Sequence, residues 1–225
     1  MSDSRPWPGL ARVLAVSLGK AIPLVVAGAG TEAVVLSGIR KHPVSTLLHP
    51  LRVQVQQRGL AGDEQGDLTV HGGLDKAVYA YPSEHYAWWN ARRRACAQPD
   101  SGPPLPYGAM GENLTLEGLL ESALWIGDLV RVGTALLRVE APRQPCYKFN
   151  AALGYRHAVR DMVQSGYSGV YLSVVLKGEV RAGDAVIVQA GPRELSQGSG
   201  NARRRQTPPG PQGRPVMCLA GRLYG

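Results

Sequence analysis

Cysteine is scarce in this chain, and its scarcity excludes several classes of protein. Three cysteines occur among 225 residues, at positions 96, 146 and 218, and no CxxC or clustered Cys/His spacing is present. An odd number of dispersed cysteines argues against a disulfide framework, a zinc finger and an iron–sulfur cluster, and it fits a reducing compartment. We therefore expect a cytoplasmic protein.

Several targeting and catalytic signatures are also missing. The start, M-S-D-S-R-P-W-P, has no cationic leader followed by an apolar stretch. The most apolar early run, A-I-P-L-V-V-A-G-A-G-T-E-A-V-V-L, is interrupted by Pro23 and Glu32 and is too short to span a bilayer. No GxSxG, Walker A, Rossmann or HExxH motif occurs, so the sequence offers no signature of an α/β-hydrolase, a nucleotide-binding enzyme or a zinc protease.

Acidic residues are few near the end of the chain, and this explains most of the net charge of +8. From Gly191 onward there are six arginines and one glutamate, a net charge of +5, which leaves +3 for the first 190 residues. The segment 191–225 is rich in Gly, Pro, Ser and Gln and cannot bury enough apolar surface to fold. We predict one domain over residues 1–190 and a disordered basic tail over 191–225. Nucleic acid is an alternative partner for such a tail, but not the expected one.

Short β-type runs dominate the predicted domain. They are A-R-V-L-A-V-S-L, R-V-Q-V-Q-Q, A-V-Y-A-Y, A-L-W-I-G-D-L-V-R-V-G, A-L-L-R-V-E, V-Y-L-S-V-V-L and A-V-I-V-Q. Many short strands without regularly interleaved helices favour a closed barrel or a sandwich over a parallel βαβ sheet. The sequence therefore predicts a mostly β protein of the α+β class.

Two helices and two similar turns complete the predicted architecture. One helix follows Pro82-Ser83, with the serine hydroxyl as its expected cap, and the second ends at Gly166. The segments I-G-D-L-V-R-V (126–132) and A-G-D-A-V-I-V (182–188) resemble one another. In each, Gly-Asp is predicted to form a turn that begins a strand.

The first polar segment that could carry chemistry is G-L-A-G-D-E-Q-G-D-L-T-V-H-G-G-L-D-K-A-V, residues 59–78. A metal site made of Asp63, Asp67 and His71 is one interpretation, and ordinary turn chemistry for the aspartates is the other. His71-Gly72-Gly73 is harder to explain by turns alone. Exposed amides beside an imidazole and Lys76 can bind an anion.

The second polar segment is Y-G-A-M-G-E-N-L-T-L-E-G, residues 107–118. Its glycines flank a turn into Glu112 and Asn113. A plain hairpin loop is the interpretation that the residues alone favour. The alternative is that these two side chains hydrogen-bond a polar heterocycle.

The third segment, E-A-P-R-Q-P-C-Y-K-F-N, places Cys146 between Arg143 and Lys148. Thiolate is the form of cysteine that attacks electrophiles and binds soft metals, and neighbouring cations stabilise it. Pro142 and Pro145 restrict the backbone around the thiol. The residues alone leave two interpretations open, a functional thiolate and a buried inert cysteine.

A nucleophilic hydrolase is a further alternative, and it needs a base near the cysteine. His71, His85 and His157 are candidates. Sequence spacing pairs none of them with Cys146.

Together the segments resemble the MOSC domain, and within that family the bacterial YiiM-type subfamily. The resemblance runs from about Val35 to Val188. It rests on S-G-I-R-K-H-P-V, the H-G-G and D-K-A-V-Y-A-Y block, G-A-M-G-E-N-L, I-G-D and P-R-Q-P-C-Y-K, in the order and spacing of the subfamily. The H-G-G block and the P-R-Q-P-C block are specific in combination.

The resemblance implies a mostly β, MOSC-type barrel that binds molybdenum cofactor, a pterin whose dithiolene holds the metal together with a protein cysteine. That cysteine corresponds to Cys146. By the same resemblance, the cofactor pocket is lined by Lys41, His71, Gly72, Lys76, Asn113 and Arg143.

The implied activity is reduction of N-hydroxylated compounds, such as hydroxylamino-purines, to amines. A separate reductase would supply the electrons, because no flavin or ferredoxin signature is present. Proton delivery is assigned to His71 or Glu112. The alternative is a non-catalytic carrier that binds molybdopterin or a persulfide on Cys146 and passes it on.

Two departures from the family pattern limit what the resemblance implies. YiiM-type chains usually continue into a small helical domain, where this sequence has the basic tail. The pyridoxal-phosphate-dependent portion of sulfurase relatives has no counterpart, so pyridoxal phosphate binding is not expected. The sequence leaves the oligomeric state open, with a dimer as one alternative.

Overall fold

The computed structural model describes residues 11–27, 32–65, 72–96 and 102–191. The strands are β1 (Arg12–Gly19), β2 (Ile22–Ala27), β3 (Glu32–Ser37), β4 (Lys41–Thr46), β5 (Val53–Gln56), β6 (Gly59–Leu60), β7 (Val78–Pro82), β8 (Leu114–Glu117), β9 (Leu129–Val132), β10 (Ala135–Pro142), β11 (Val170–Leu176), β12 (Gly178–Val180) and β13 (Val186–Gln189). The helices are α1 (Tyr86–Cys96), α2 (Tyr147–Leu153) and α3 (Ala158–Ser165).

A large mixed sheet organises the fold. Its strand order is β13-β9-β10-β11-β7-β8-β1-β4, and its neighbours are antiparallel except for the parallel pair β7–β8. Two small sheets, β12-β5-β6 and β2-β3, lie beside it. The prediction of a mostly β protein of the α+β class is confirmed.

The large sheet does not close into the predicted barrel. One isolated antiparallel bridge, between Arg12 and Ala185, links the beginning of β1 to the residues before β13. The second half of the same edge of β1 pairs with β4 instead. Because β4 occupies that edge, only the first residues of β1 can pair with the other end of the sheet, and closure stays incomplete.

The two Gly-Asp turns are confirmed, and they begin neighbouring strands. Gly127 and Gly183 both have φ of 91°, and the strands that follow them, β9 and β13, pair antiparallel with Val132 opposite Val186. A positive φ at the turn is accessible to glycine at little cost. The two similar segments therefore lie side by side at one end of the sheet, each as a turn followed by a strand.

Two hydrophobic clusters hold the elements together. The first is aliphatic and lies against the sheet; in β10 it takes Ala135, Leu137 and Val139, which alternate with outward-facing residues. The second is aromatic and includes Tyr81, Trp89 and Phe149. The aromatic cluster joins the helices to β7 and thereby fixes α2 relative to the sheet.

The helices agree with the sequence in part. The predicted second helix is α3, which ends at Gly166 with φ of 74°. The first begins with a 3₁₀ turn, Ser83–His85, and the expected serine cap is wrong, because no side-chain hydrogen bond caps this turn. Glu84 instead accepts the amide N–H of Gly118 at 2.7 Å. Helix α2 was not predicted.

None of the helices among the described residues has the length and apolar character needed to cross a bilayer. The predicted disordered tail lies outside the described residues, apart from Gly191, and it stays a prediction.

Candidate functional site

One cavity brings the three polar segments of the sequence together. Lys41 at the start of β4, Lys76, Asn113, Arg143 and Cys146 all line it. The cavity is open to solvent on one side, and its empty volume is about 690 Å³ when the open part is counted. Four of the six residues that the family resemblance assigned to a cofactor pocket therefore share one wall with Cys146, the implied metal ligand.

Cys146 lies immediately before α2, in extended conformation with φ of −116° and ψ of 172°. Its carbonyl accepts the N–H of Phe149 at 2.9 Å, which starts the helix, and the buried Phe149 anchors α2 in the aromatic cluster. The residue is partly exposed and lines the cavity. The interpretation of Cys146 as an inert core cysteine is not supported by this position.

Arg143 is a buried cation at the cavity. Its guanidinium carbon lies 4.9 Å from the ring centre of Tyr79 and 4.8 Å from that of Phe149. The guanidinium donates to the carbonyl of Met110 and, at 3.4 Å, to the hydroxyl of Tyr79. Among the described residues no carboxylate forms an ion pair with Arg143. A buried cation without an acidic partner suits an anionic group, such as a phosphate, that enters the cavity.

A second cation, Lys41, is paired inside the cavity wall. Its ammonium donates to Asp63, whose carboxylate also accepts from the side-chain amide of Asn113 at 2.9 Å and from the N–H of Gly19 at 2.8 Å. Burial lowers the pKa of Lys41, and the charge of Asp63 opposes that shift. Asp63 is thus a buried ion-pair partner, a role that neither turn chemistry nor a three-residue metal site anticipated.

Asn113 connects this pair to the sheet. Its side-chain oxygen accepts the N–H of Tyr79 at 3.1 Å, and its amide nitrogen also donates to the carbonyl of Ser17 at 3.3 Å. The side chain is therefore fixed on both sides while it lines the cavity.

Glu112, the neighbouring residue, points away from the cavity into its own loop. Its carboxylate accepts the N–H groups of Gly108 at 2.8 Å and Met110 at 3.1 Å, the hydroxyl of Thr115 at 2.8 Å, and the hydroxyl of Tyr86. Burial raises the pKa of Glu112. The residue is fully buried and absent from the cavity wall, so its geometry gives no support to direct proton delivery.

The segment His71-Gly72-Gly73 and the residues before it lie only partly within the described part of the chain. Lys76 lines the cavity, with its ammonium 5.9 Å from the ring centre of Tyr171. Gly72 is not among the described lining residues. His71 and Asp67 lie outside the described residues, so their predicted roles stay predictions.

A metal site made of Asp63, Asp67 and His71 stays a prediction, because two of its three residues lie outside the described part of the chain. Within that part, no group of three or more His, Cys, Asp or Glu side chains could hold a metal ion. His85 is paired with Glu121 at 2.9 Å, and neither it nor His157 lines the cavity with Cys146.

Sequence reasoning missed the aromatic part of the wall. Tyr79 and Tyr171 both line the cavity because β7 pairs with β11 and places them opposite each other. Lys148 was noted as a neighbour of Cys146, and it is buried with its ammonium 3.4 Å from the carbonyl of Leu36. The run A-V-Y-A-Y predicted the strand that carries Tyr79, but its partner strand could not be predicted from the sequence.

Several known proteins are similar to this chain in sequence. YflK of Bacillus subtilis is 38% identical over 171 residues, which cover 76% of this chain and 70% of YflK. YiiM of Escherichia coli is 39% identical over 130 residues, which cover 58% of this chain and 56% of YiiM. A protein of Gibberella moniliformis named "Reductase" is 32% identical over 133 residues, but the match spans 22% of that protein.

Solved structures support the same relationship. The crystal structure of YiiM from Geobacillus stearothermophilus has a TM-score of 0.57 and 30% sequence identity, with 80% of this chain and 75% of that chain covered. YiiM from Escherichia coli has a TM-score of 0.53 and 27% identity, with 75% and 69% covered.

The sequence model of the MOSC domain matches residues 67–187, more than half of the chain. That segment contains Lys76, Asn113, Arg143 and Cys146, while Lys41 and Asp63 complete the cavity from outside it. The chain therefore belongs to the MOSC domain family and is a YiiM-type member of it.

Proposed function

We propose that the cavity binds molybdenum cofactor, that Cys146 is the protein ligand of the metal, and that the chain reduces N-hydroxylated compounds to amines. One observation carries the proposal: Cys146 lines a cavity whose wall also holds Arg143, Lys41 and Lys76. MOSC domains are associated with this cofactor, and a relative is named a reductase.

The residues of the wall suit the two ends of such a cofactor. Arg143 is buried, stacked between two rings and free of a described carboxylate partner, so it would bind the phosphate. Lys76 adds positive charge to the same wall. Cys146 offers a soft sulfur ligand, and the cofactor would bring the other ligands of the metal. Asn113 would border the pterin with its fixed amide.

When bound, the cofactor would supply the two-electron redox chemistry. The chain would position the thiolate, neutralise the negative charge of the cofactor and orient the substrate in a partly closed cavity. Tyr79 and Tyr171 provide an aromatic surface in that cavity, which suits a flat heterocyclic substrate such as a hydroxylamino-purine. The electrons would come from a separate reductase.

The proposal is tested by replacing Cys146 with Ser in chain produced in cells that synthesise molybdenum cofactor. We expect reduction of a hydroxylamino-purine, with reduced methyl viologen as electron donor, to fall at least about 100-fold. Circular dichroism and the thermal unfolding midpoint should be nearly unchanged, because the thiol is partly exposed and makes no described hydrogen bond.

Cys218→Ser is the matched control, since it removes a thiol that the proposal does not use. It should retain full activity and metal content. Reduction that survives Cys146→Ser would refute the proposal. Bound molybdenum without any reduction by the wild-type chain would instead favour the carrier function.

A further inference from the structure

A buried ion pair forms part of the cavity wall, and binding of the cofactor does not explain all of it. The side chains of Lys41 and Asp63 are 8% and 4% exposed, and both line the cavity. Removing two charges from water is costly unless their geometry is tightly held. A role in the reaction would account for an ion pair that is buried beside the cavity.

The carboxylate of the pair cannot turn away from the ammonium. One of its oxygens accepts from Gly19 at 2.8 Å, and the other accepts from both Asn113 and Lys41. An ammonium has three N–H donors. Asp63 is the one hydrogen-bond partner found for Lys41 among the described residues, so two of the ammonium donors have no acceptor in that part of the chain.

The proposed reaction consumes protons. Reduction of R–NHOH breaks the N–O bond and takes up two electrons from the donor protein and two protons. The products are R–NH₂ and water, with one proton added to nitrogen and one to the departing oxygen. A proton donor in the cavity would assist the departure of that oxygen.

We infer that Lys41 is this proton donor and that Asp63 is its positioning residue. The inference rests on the proposed function. The proton passes from the ammonium nitrogen of Lys41 to the oxygen as the N–O bond breaks, and solvent at the open mouth of the cavity restores it. Asp63 keeps the ammonium directed at one place throughout the cycle.

The electrostatic surroundings of Lys41 are consistent with this role. Burial lowers its pKa, the negative charges of Asp63 and Glu112 raise it, and the positive charge of Arg143 lowers it further. The net direction is downward, which makes the ammonium a stronger acid than an ordinary lysine. Glu112 contributes charge only, because it does not reach the cavity wall.

Lys41→Arg is the decisive variant, because arginine keeps the charge and the pairing with Asp63 but does not release its proton. Expressed per bound molybdenum, kcat should fall at least about 100-fold. The matched control is Lys20→Arg. Lys20 pairs with Glu64 at 2.8 Å but is 65% exposed and lies outside the cavity wall, so this variant should keep full activity.

The pH dependence separates a proton donor from a charge that only binds. Wild-type kcat should decrease at alkaline pH, as the ammonium loses its proton, and Lys41→Arg should show no such decrease. In Asp63→Asn the interaction that raises the pKa of Lys41 is gone, so the decrease should move to lower pH.

A measurement that does not depend on enzymatic activity completes the test. Carbon-13 NMR of labelled lysine side chains, in chain purified without cofactor, should show Lys41 titrating below the ordinary lysine value of 10.5. The resonance is assigned by its loss in Lys41→Arg.

The outcomes distinguish this inference from the proposed function. Equal rates per molybdenum for wild type and Lys41→Arg, or a Lys41 that titrates at 10.5 or above, would overturn the proton-donor role alone. A wild-type chain that binds the cofactor and reduces nothing would overturn the proposed function and this inference with it.

Discussion

Glu112 is a buried carboxylate that affects the cavity indirectly, since it does not line the wall. Four donors converge on it, from Tyr86, Gly108, Met110 and Thr115. The loop that it holds carries the carbonyl of Met110, which accepts from Arg143. Glu112 therefore positions the buried cation of the cavity through its own loop.

Glu112→Gln should lower the free energy of unfolding by about 2–3 kcal/mol, because one oxygen becomes an NH₂ group facing a backbone N–H. Urea denaturation measures the change. The control is Glu117→Gln, which removes a half-exposed pair with Arg12 and should cost less than about 1 kcal/mol.

The effect of Glu112→Gln should also depend on pH. Burial raises the native pKa of Glu112 above its ordinary value of 4.5. The corresponding stabilisation of the native state is fully present below pH 4.5 and is lost as the pH rises through the raised native pKa. The stability difference between wild type and variant should thus shrink toward neutral pH. A difference that grows with pH would contradict the assigned direction.

Among the secondary-structure elements, β11 depends on the turn before it. Gly169 has φ of +63°, and a Cβ there would lie 2.5 Å from the carbonyl oxygen of Ala80 and 2.8 Å from the rings of Tyr79 and Tyr81. The carbonyl of Gly169 accepts the N–H of Arg143 at 3.2 Å. Gly169 therefore packs closely against β7 and also holds the backbone of Arg143, a residue of the cavity wall.

Gly169→Ala should destabilise the chain by at least about 2 kcal/mol more than Gly154→Ala. Gly154, after α2, has the same φ of +63° but nothing within 4 Å of an added Cβ, so it pays only the backbone cost of about 1–2 kcal/mol. Thermal or urea unfolding compares the two variants. Equal losses of stability in the two variants would show that the close contact of residue 169 with β7 does not contribute to the difference.

Elements with a strong local pattern were readable from the sequence, and elements fixed by distant contacts were not. The run V-Y-L-S-V-V-L is β11 (Val170–Leu176), and Gly166 ends α3 as predicted. The seven-residue α2 is too short for a helical period to be recognised. It forms because Phe149 and Leu153 bury in the aromatic cluster.

The same limit applied to the site. The family motifs identified Cys146, Arg143, Lys41, Lys76 and Asn113, which share one cavity. They did not reveal that Glu112 is buried in its own loop while Asn113 lines the cavity. The two residues lie in an irregular segment before β8, where no side-chain period applies. The importance of Asp63 depends on its contact with Lys41, 22 residues earlier, which no spacing rule predicts.

For the whole molecule, the residues of the cavity wall that the structure describes lie between positions 37 and 171. A chain ended at Gly191 should therefore keep molybdenum content and reduction rate within about twofold of the full chain. Its net charge falls from +8 to +3, and its unfolding midpoint should shift by less than about 2 °C. Loss of either activity or metal would show that residues 192–225 contribute to the site.

The most direct test of the central claim is X-ray absorption at the molybdenum edge, with the wild-type chain and Cys146→Ser loaded with cofactor. The account predicts that the variant loses one sulfur from the coordination shell of the metal while the dithiolene sulfurs remain. An identical sulfur shell in the two proteins would show that Cys146 does not bind the metal, and would contradict the account.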